Sequence, residues 1–137
     1  MGAVLEAVPQ GNLAERMRAA GAGIGAFYCP TAVGTPLAEG KETREIDGRG
    51  YLLEYPIKGD YALIAAHRAD RVGNLVYRKT ARNFGPVMAT AATTTIVQVD
   101  EVVETGTLDP EAVVTPSIYV DRLVAVPARR YTVQGAR

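Results

Sequence analysis

Apolar and polar positions along this chain change rhythm several times, and each change predicts an element. Residues 4–9 form a short extended stretch closed by Pro9 and Gly11. Asn12 then reads as a helix cap, because Leu13, Met17 and Ala20 follow at one-turn spacing. The glycines of 21–25 end that helix, and the apolar run 24–28 reads as a buried strand stopped by Pro30. Residues 31–40, with Gly34, Pro36 and Gly40, lack periodicity and read as an irregular loop. Residues 42–57 alternate on either side of Asp47-Gly48, a favoured two-residue turn, and predict a β-hairpin. Two apolar runs, 61–66 and 74–78, predict strands of a buried sheet, with the polar stretch 67–73 separating them. Residues 81–92 predict a helix with Pro86 in its first turn, followed by the β-branched run 93–99, which Val102 and Val103 prolong. Beyond it, Asp109-Pro110, Thr115-Pro116 and Pro127 punctuate short extended pieces, and a basic tail covers about 125–137.

Strands alternating with a few helices predict an α/β domain built on a mostly parallel open sheet with an antiparallel hairpin. Neither an internal repeat nor a low-complexity linker divides the chain, so one domain over 1–137 is expected. The helices are sparse for a complete doubly wound fold.

Composition removes several function classes. Fifteen Lys plus Arg offset fifteen Asp plus Glu, so no net charge draws the chain to nucleic acid or to an anionic membrane. A 47% hydrophobic content with 22% charge is that of an ordinary globular protein. Cys29 is the only cysteine and His67 the only histidine, which excludes an intrachain disulfide and offers no metal cluster; a reducing, cytoplasmic setting follows. Glu6 breaks the pattern of a signal peptide and of a myristoylation site, and no apolar run reaches the length of a membrane span.

The candidate motifs have ordinary readings beside functional ones. Gly21-x-Gly23-x-x-Ala26 matches a loose dinucleotide fingerprint, but it follows a predicted helix instead of preceding one, so a helix C-cap accounts for it better. His67 has no Ser or Cys nearby in sequence and reads as a structural or surface residue; Cys29 reads as a small buried hydrophobe. Lys41 in Glu39-Gly40-Lys41-Glu42 could hold an acyl or phosphate group, against a local ion pair as the plainer reading. The basic cluster of 78–84, with Arg78, Lys79, Arg82 and Asn83, lies between a predicted strand and a helix, where open α/β sheets meet anionic ligands.

Longer phrases carry a family resemblance. They are Pro9-Gln-Gly-Asn-Leu-Ala-Glu-Arg16, Ala26-Phe-Tyr-Cys-Pro-Thr-Ala-Val-Gly-Thr35, Ala38-Glu-Gly-Lys-Glu-Thr-Arg-Glu45, Ala69-Asp-Arg-Val-Gly-Asn-Leu-Val-Tyr-Arg-Lys-Thr-Ala-Arg-Asn-Phe84 and Ile118-Tyr-Val-Asp-Arg122. In this order they resemble the later part of the small (A, alpha) subunit of 3-oxoacid and 3-oxoadipate CoA-transferases. The resemblance implies a CoA-transferase-like α/β fold, shared with sugar-phosphate isomerases. It further implies a cytoplasmic heterotetramer with a large (B, beta) subunit, and transfer of CoA from an acyl-CoA such as succinyl-CoA to a 3-oxoacid such as 3-oxoadipate or acetoacetate. Coenzyme A is then a substrate, and no cofactor stays bound.

In that family the nucleophile is a glutamate of the large subunit, which attacks the thioester and passes through an acyl-glutamyl anhydride to a glutamyl-CoA thioester. No catalytic residue is therefore assigned to this chain. Weak pocket contacts are assigned to Thr31, Gly34 and Thr35, and to Arg82 and Asn83 near the coenzyme. The family's Gly-Gly-Phe-Gly loop, which lies in the earlier half of the small subunit, is absent here, so the chain reads as a truncated small subunit. A catalytically inactive scaffold or assembly subunit of the same complex is the alternative. Gly25, Cys29, Ala32 and Ser117 stand where the family has proline, threonine, glycine and glycine. Of these, Ala32 is expected to alter the loop most, since alanine resists positive φ.

Overall fold

The computed structural model describes residues 5–126. They fold as two compact units, one of residues 5–62 with 87–93, the other of 63–86 with 94–126. Val4, Pro127 and the tail beyond it lie outside the described residues.

In the first unit α1 (Gln10–Gly21) starts earlier than Asn12 implies. Pro9 is the N-cap: its fixed φ of −56° suits the junction, and its carbonyl accepts the first helical bond from Leu13 N at 2.9 Å. Asn12 is instead buried one turn in, where a partner far along the chain claims its side chain. The helix ends in a Schellman arrangement, with Gly23 at φ +71°, Gly23 N bonded to Ala20 O at 3.2 Å and Ile24 N to Ala19 O at 2.9 Å. Gly21 meets Thr90 so closely that a Cβ would lie 2.3 Å from Thr90 Oγ1. The glycine pattern of 21–25 is thus a cap and a close helix contact, as its position after a helix implies.

Three strands follow: β1 (Phe27–Cys29), β2 (Thr43–Ile46) and β3 (Arg49–Glu54), in the antiparallel order β1-β3-β2. The expected hairpin is present. Ile46 pairs with Arg49, and Asp47 and Gly48 both take positive φ, 51° and 74°, the pattern of a type I′ turn. β3 alternates, so that Leu52 and Glu54 share the buried face. The loop before the hairpin contains one turn of 3-10 helix, Pro36–Ala38, capped by Thr35 Oγ1, which accepts from Leu37 N.

Sheet topology in the second unit rests on β4 (Gly59–Asp70), β5 (Leu75–Val76), β6 (Ala92–Val103) and β7 (Arg122–Ala125), in the order β5-β4-β6-β7. This sheet is mixed. β6 and β7 are parallel, with Val97 opposite Leu123, whereas β4 and β5 are antiparallel because the Asp70-to-Asn74 turn is too short for a crossover. The first residues of β4 and β6 belong to the first unit. β4 continues through His67, Arg68 and Asp70, residues that read from sequence as a separator. Charges on β6 hold that polar end in the sheet: His67 meets Asp100 at 2.9 Å and Arg68 meets Glu101 at 3.1 Å. Nor is β4 buried on both faces. Ala62, Ile64 and Ala66 point inward, while Tyr61 and Leu63 are 69% and 71% exposed. Leu75, Val97 and Val99 form the core. The helix expected over 81–92 is divided into a 3-10 turn (Lys79–Arg82) and α2 (Gly85–Thr90), whose first turn holds Pro86.

The turn after β4 is built by one carboxylate. Asp70 Oδ1 accepts from the backbone N–H of Val72, Gly73 and Asn74 at 3.2, 2.9 and 2.9 Å, and Oδ2 accepts from Asn74 Nδ2 at 2.8 Å. Burial alone would raise the Asp70 pKa; these donors overcome it and hold the carboxyl below its usual value. Asn74 Oδ1 in turn accepts from Ser117 N at 3.0 Å. Tyr77 OH bonds Thr115 Oγ1 at 2.7 Å, and its burial pushes the phenol pKa up against the opposing effect of that bond.

Candidate functional site

In the first unit, α1 and the hairpin bring together polar residues that are distant in sequence. β3 carries Glu54 inward, 2% exposed, and α1 carries Asn12 and Arg16. Glu54 Oε1 accepts from Lys41 Nζ at 2.7 Å and from Asn12 Nδ2 at 3.1 Å, and Oε2 lies 4.0 Å from Arg16 Nε. Arg16 also donates to the Tyr55 carbonyl at 2.8 Å and meets Glu6 at 2.8 Å. Glu6, Arg16, Lys41, Glu54 and Tyr55 line an open cleft of about 310 Å³ together with Gly40, Glu42 and Leu53. Lys41 is thus the local charge partner that its plainer reading implied.

The same cluster reaches Cys29. Its sulfur lies 3.3 Å from both Asn12 Oδ1 and Thr31 Oγ1, so it is half-buried among polar partners and not an apolar filler. Nearby, Tyr28 donates to Glu42 in a short hydrogen bond, and that bond raises the Tyr28 pKa; the Arg44 guanidinium lies 5.0 Å over its ring and opposes the shift.

Thr31, Gly34 and Thr35 lie together on the exposed loop that follows β1. Ala32 takes φ +71° and Gly34 φ +76°, and Thr35 closes the turn on Ala32 O through its N–H at 3.1 Å and Oγ1 at 2.8 Å. Ala32 therefore adopts the left-handed backbone that a glycine takes freely and an alanine takes only at a cost.

Arg82 and Asn83 belong to the second unit, at the end of the 3-10 turn after β5, and both are exposed. Arg78 and Lys79 precede them and line an open cleft of about 290 Å³ with His67 and Asp100. The two groups of expected contacts thus fall one in each unit.

Sequence reasoning missed Asn12, Arg16 and Glu54 as a cluster. One signal was available: Glu54 stands two residues after Leu52 in an alternating strand, and so shares its buried face. Among the described residues no group of three His, Cys, Asp or Glu could hold a metal ion, and no helix is long and apolar enough to cross a membrane.

The family pattern of coenzyme A transferase matches residues 3–126. The A-type subunit of 3-oxoadipate CoA-transferase from Pseudomonas putida is 70% identical over 122 residues, 89% of this chain and 53% of that protein. The A-type subunit of succinyl-CoA:3-ketoacid coenzyme A transferase from Xanthomonas campestris pv. campestris is 59% identical over 128 residues, 92% of this chain and 53% of that protein. The crystal structure of an acyl-CoA transferase from Escherichia coli O157:H7 matches with a TM-score of 0.78 at 27% identity, covering 87% of this chain and 27% of that one. The chain spans about half the length of the curated relatives it matches. With a match that leaves out only the ends, in sequence and in α/β fold alike, the chain belongs to the coenzyme A transferase family.

Proposed function

We propose that this chain is the later portion of the small, A-type subunit of a cytoplasmic CoA-transferase that moves CoA from succinyl-CoA to a 3-oxoacid, 3-oxoadipate or acetoacetate. The observation that carries the reading is the 70% identity to the corresponding subunit of a 3-oxoadipate CoA-transferase. A large, B-type partner supplies the nucleophilic glutamate, and the two assemble as a heterotetramer. Glu54, the one buried glutamate among the described residues, supports that division, since its carboxylate is buried and bonded to Lys41 and Asn12. Coenzyme A enters and leaves as a substrate. Thr31, Gly34 and Thr35 contact the acyl pocket, and Arg82 and Asn83 lie toward the coenzyme. This assignment is supported by their exposure and by the lack of an acidic partner for Arg82 among the described residues.

Co-expression with the large partner, size-exclusion chromatography and a thioester-exchange assay with succinyl-CoA test the reading. A stable complex that turns over 3-oxoadipate or acetoacetate is expected. A stable complex with no turnover on either acid would make the chain a scaffold or assembly piece, and absence of a complex would overturn both.

A further inference from the structure

The cleft of about 290 Å³ in the second unit is lined by His67, Arg78, Lys79 and Asp100, with the small side chains of Ala65 and Ala81 leaving the space between them open. Arg78 and Lys79 are exposed, and neither has an acidic partner among the described residues. Arg68 and Arg71 of the same unit differ, being paired with Glu101 and Glu104. Lys79 is held at φ +56°, a backbone region that a long L side chain enters only under constraint, and such constraint collects at ligand sites. His67 Nδ1 and Asp100 Oδ2 are 2.9 Å apart, so the imidazole engages the one carboxylate of the cleft and keeps its other nitrogen for a further partner.

We propose that this cleft is an anion subsite that binds a phosphate or pyrophosphate group. The Arg78 fork matches two phosphate oxygens at once, and Lys79 adds a compact second charge. Two uncommitted cations suit a dianion better than a single carboxylate. Whole-ligand sites span roughly 300–1,000 Å³, so a cleft at the lower limit suits a phosphate-bearing group and not an entire cofactor. The group comes either from the nucleotide portion of a coenzyme or from a free phosphate. The inference rests on this local geometry and not on the transferase reading.

Isothermal titration of the chain with inorganic pyrophosphate at low salt tests it directly. Saturable one-to-one binding is expected, weakened about tenfold or more by Arg78→Gln and by Lys79→Gln, a loss of about 1.4 kcal/mol each. Arg44→Gln, a cation of the first unit, should leave it unchanged. Lys79→Gly removes the charge while relieving the backbone, so circular dichroism should show it folded and titration should show it impaired. Displacement of pyrophosphate by coenzyme A, but not by phosphate-free pantetheine, would assign the group to the coenzyme; displacement by inorganic phosphate alone would assign it to free phosphate. Absence of saturable binding, wild-type affinity in the Arg78 and Lys79 variants, or equal weakening by Arg44→Gln would overturn the proposal. No readout involves transferase turnover, so its failure and that of the proposed function remain distinguishable.

Discussion

Lys41 Nζ lies 2.7 Å from the Oε1 of Glu54, a carboxylate that is 2% exposed. Burial strips this carboxylate of water, and the Lys41 ammonium and Asn12 amide donate hydrogen bonds in its place. Removing one partner of a buried pair typically costs 3–5 kcal/mol, but Lys41 is 28% exposed and Asn12 stays bonded to Glu54, so Lys41→Met should cost about 2 kcal/mol. Urea denaturation of Lys41→Met, Glu54→Leu and the double variant checks this. The double variant should cost less than the two single changes added together; simple additivity would show that the pair does not couple.

What could be read from the sequence was mostly local. Asp47-Gly48 announces its own turn, since both residues tolerate positive φ, and the run Thr93-Thr-Thr-Ile-Val97 announces β6. The start of α1 is misread from sequence because Asn12 has cap chemistry, yet Glu54, 42 positions away, takes its side chain. The polar end of β4 reads as loop until Asp100 and Glu101 on a distant strand are known to face it. The site divides the same way: Thr31, Gly34 and Thr35 are neighbours in the chain, whereas the Lys41–Glu54 pair depends on hairpin register and on α1.

Ala32 at φ +71° predicts a stabilising substitution. An L residue in the left-handed region costs roughly 1–2 kcal/mol, and glycine returns part of that gain through its looser unfolded chain. Ala32→Gly should therefore raise stability by about 0.5–1 kcal/mol, seen as a higher thermal midpoint. Gly34→Ala, at φ +76° in the same loop, should lower it by a similar amount. A lower midpoint for Ala32→Gly would mean that the loop does not carry this strain.

Gly21 faces Thr90 without room for a methyl group. Its added Cβ would lie 2.3 Å from Thr90 Oγ1 and 2.9 Å from the Thr90 carbonyl oxygen. Gly21→Ala should therefore lose about 1–3 kcal/mol, even though alanine is the better helix former. Adding Thr90→Ala removes the hydroxyl but keeps the Cβ, 2.5 Å from the added methyl, and the carbonyl, so denaturant midpoints should recover only slightly. Complete recovery would assign the clash to the hydroxyl end of the side chain alone.

Asp70 links stability to pH. Its folded pKa is lowered, so its contribution is fully present above the unfolded value, about 3.9, and is lost as pH falls through the folded one. The wild-type thermal midpoint should accordingly drop as pH falls below about 4. In Asp70→Asn that titration is gone, and one side-chain oxygen has become an amide that cannot accept from Asn74 Nδ2, while Val72, Gly73 and Asn74 N–H groups lose a charged acceptor. Bonds to charged groups are worth about 1.5–3 kcal/mol each, and backbone relaxation toward water offsets part of their sum, so a net loss of about 3 kcal/mol is expected at pH 7. The gap between the two proteins should narrow steadily as pH falls below about 4. A variant curve parallel to the wild type across that range would show that Asp70 is not the group responsible.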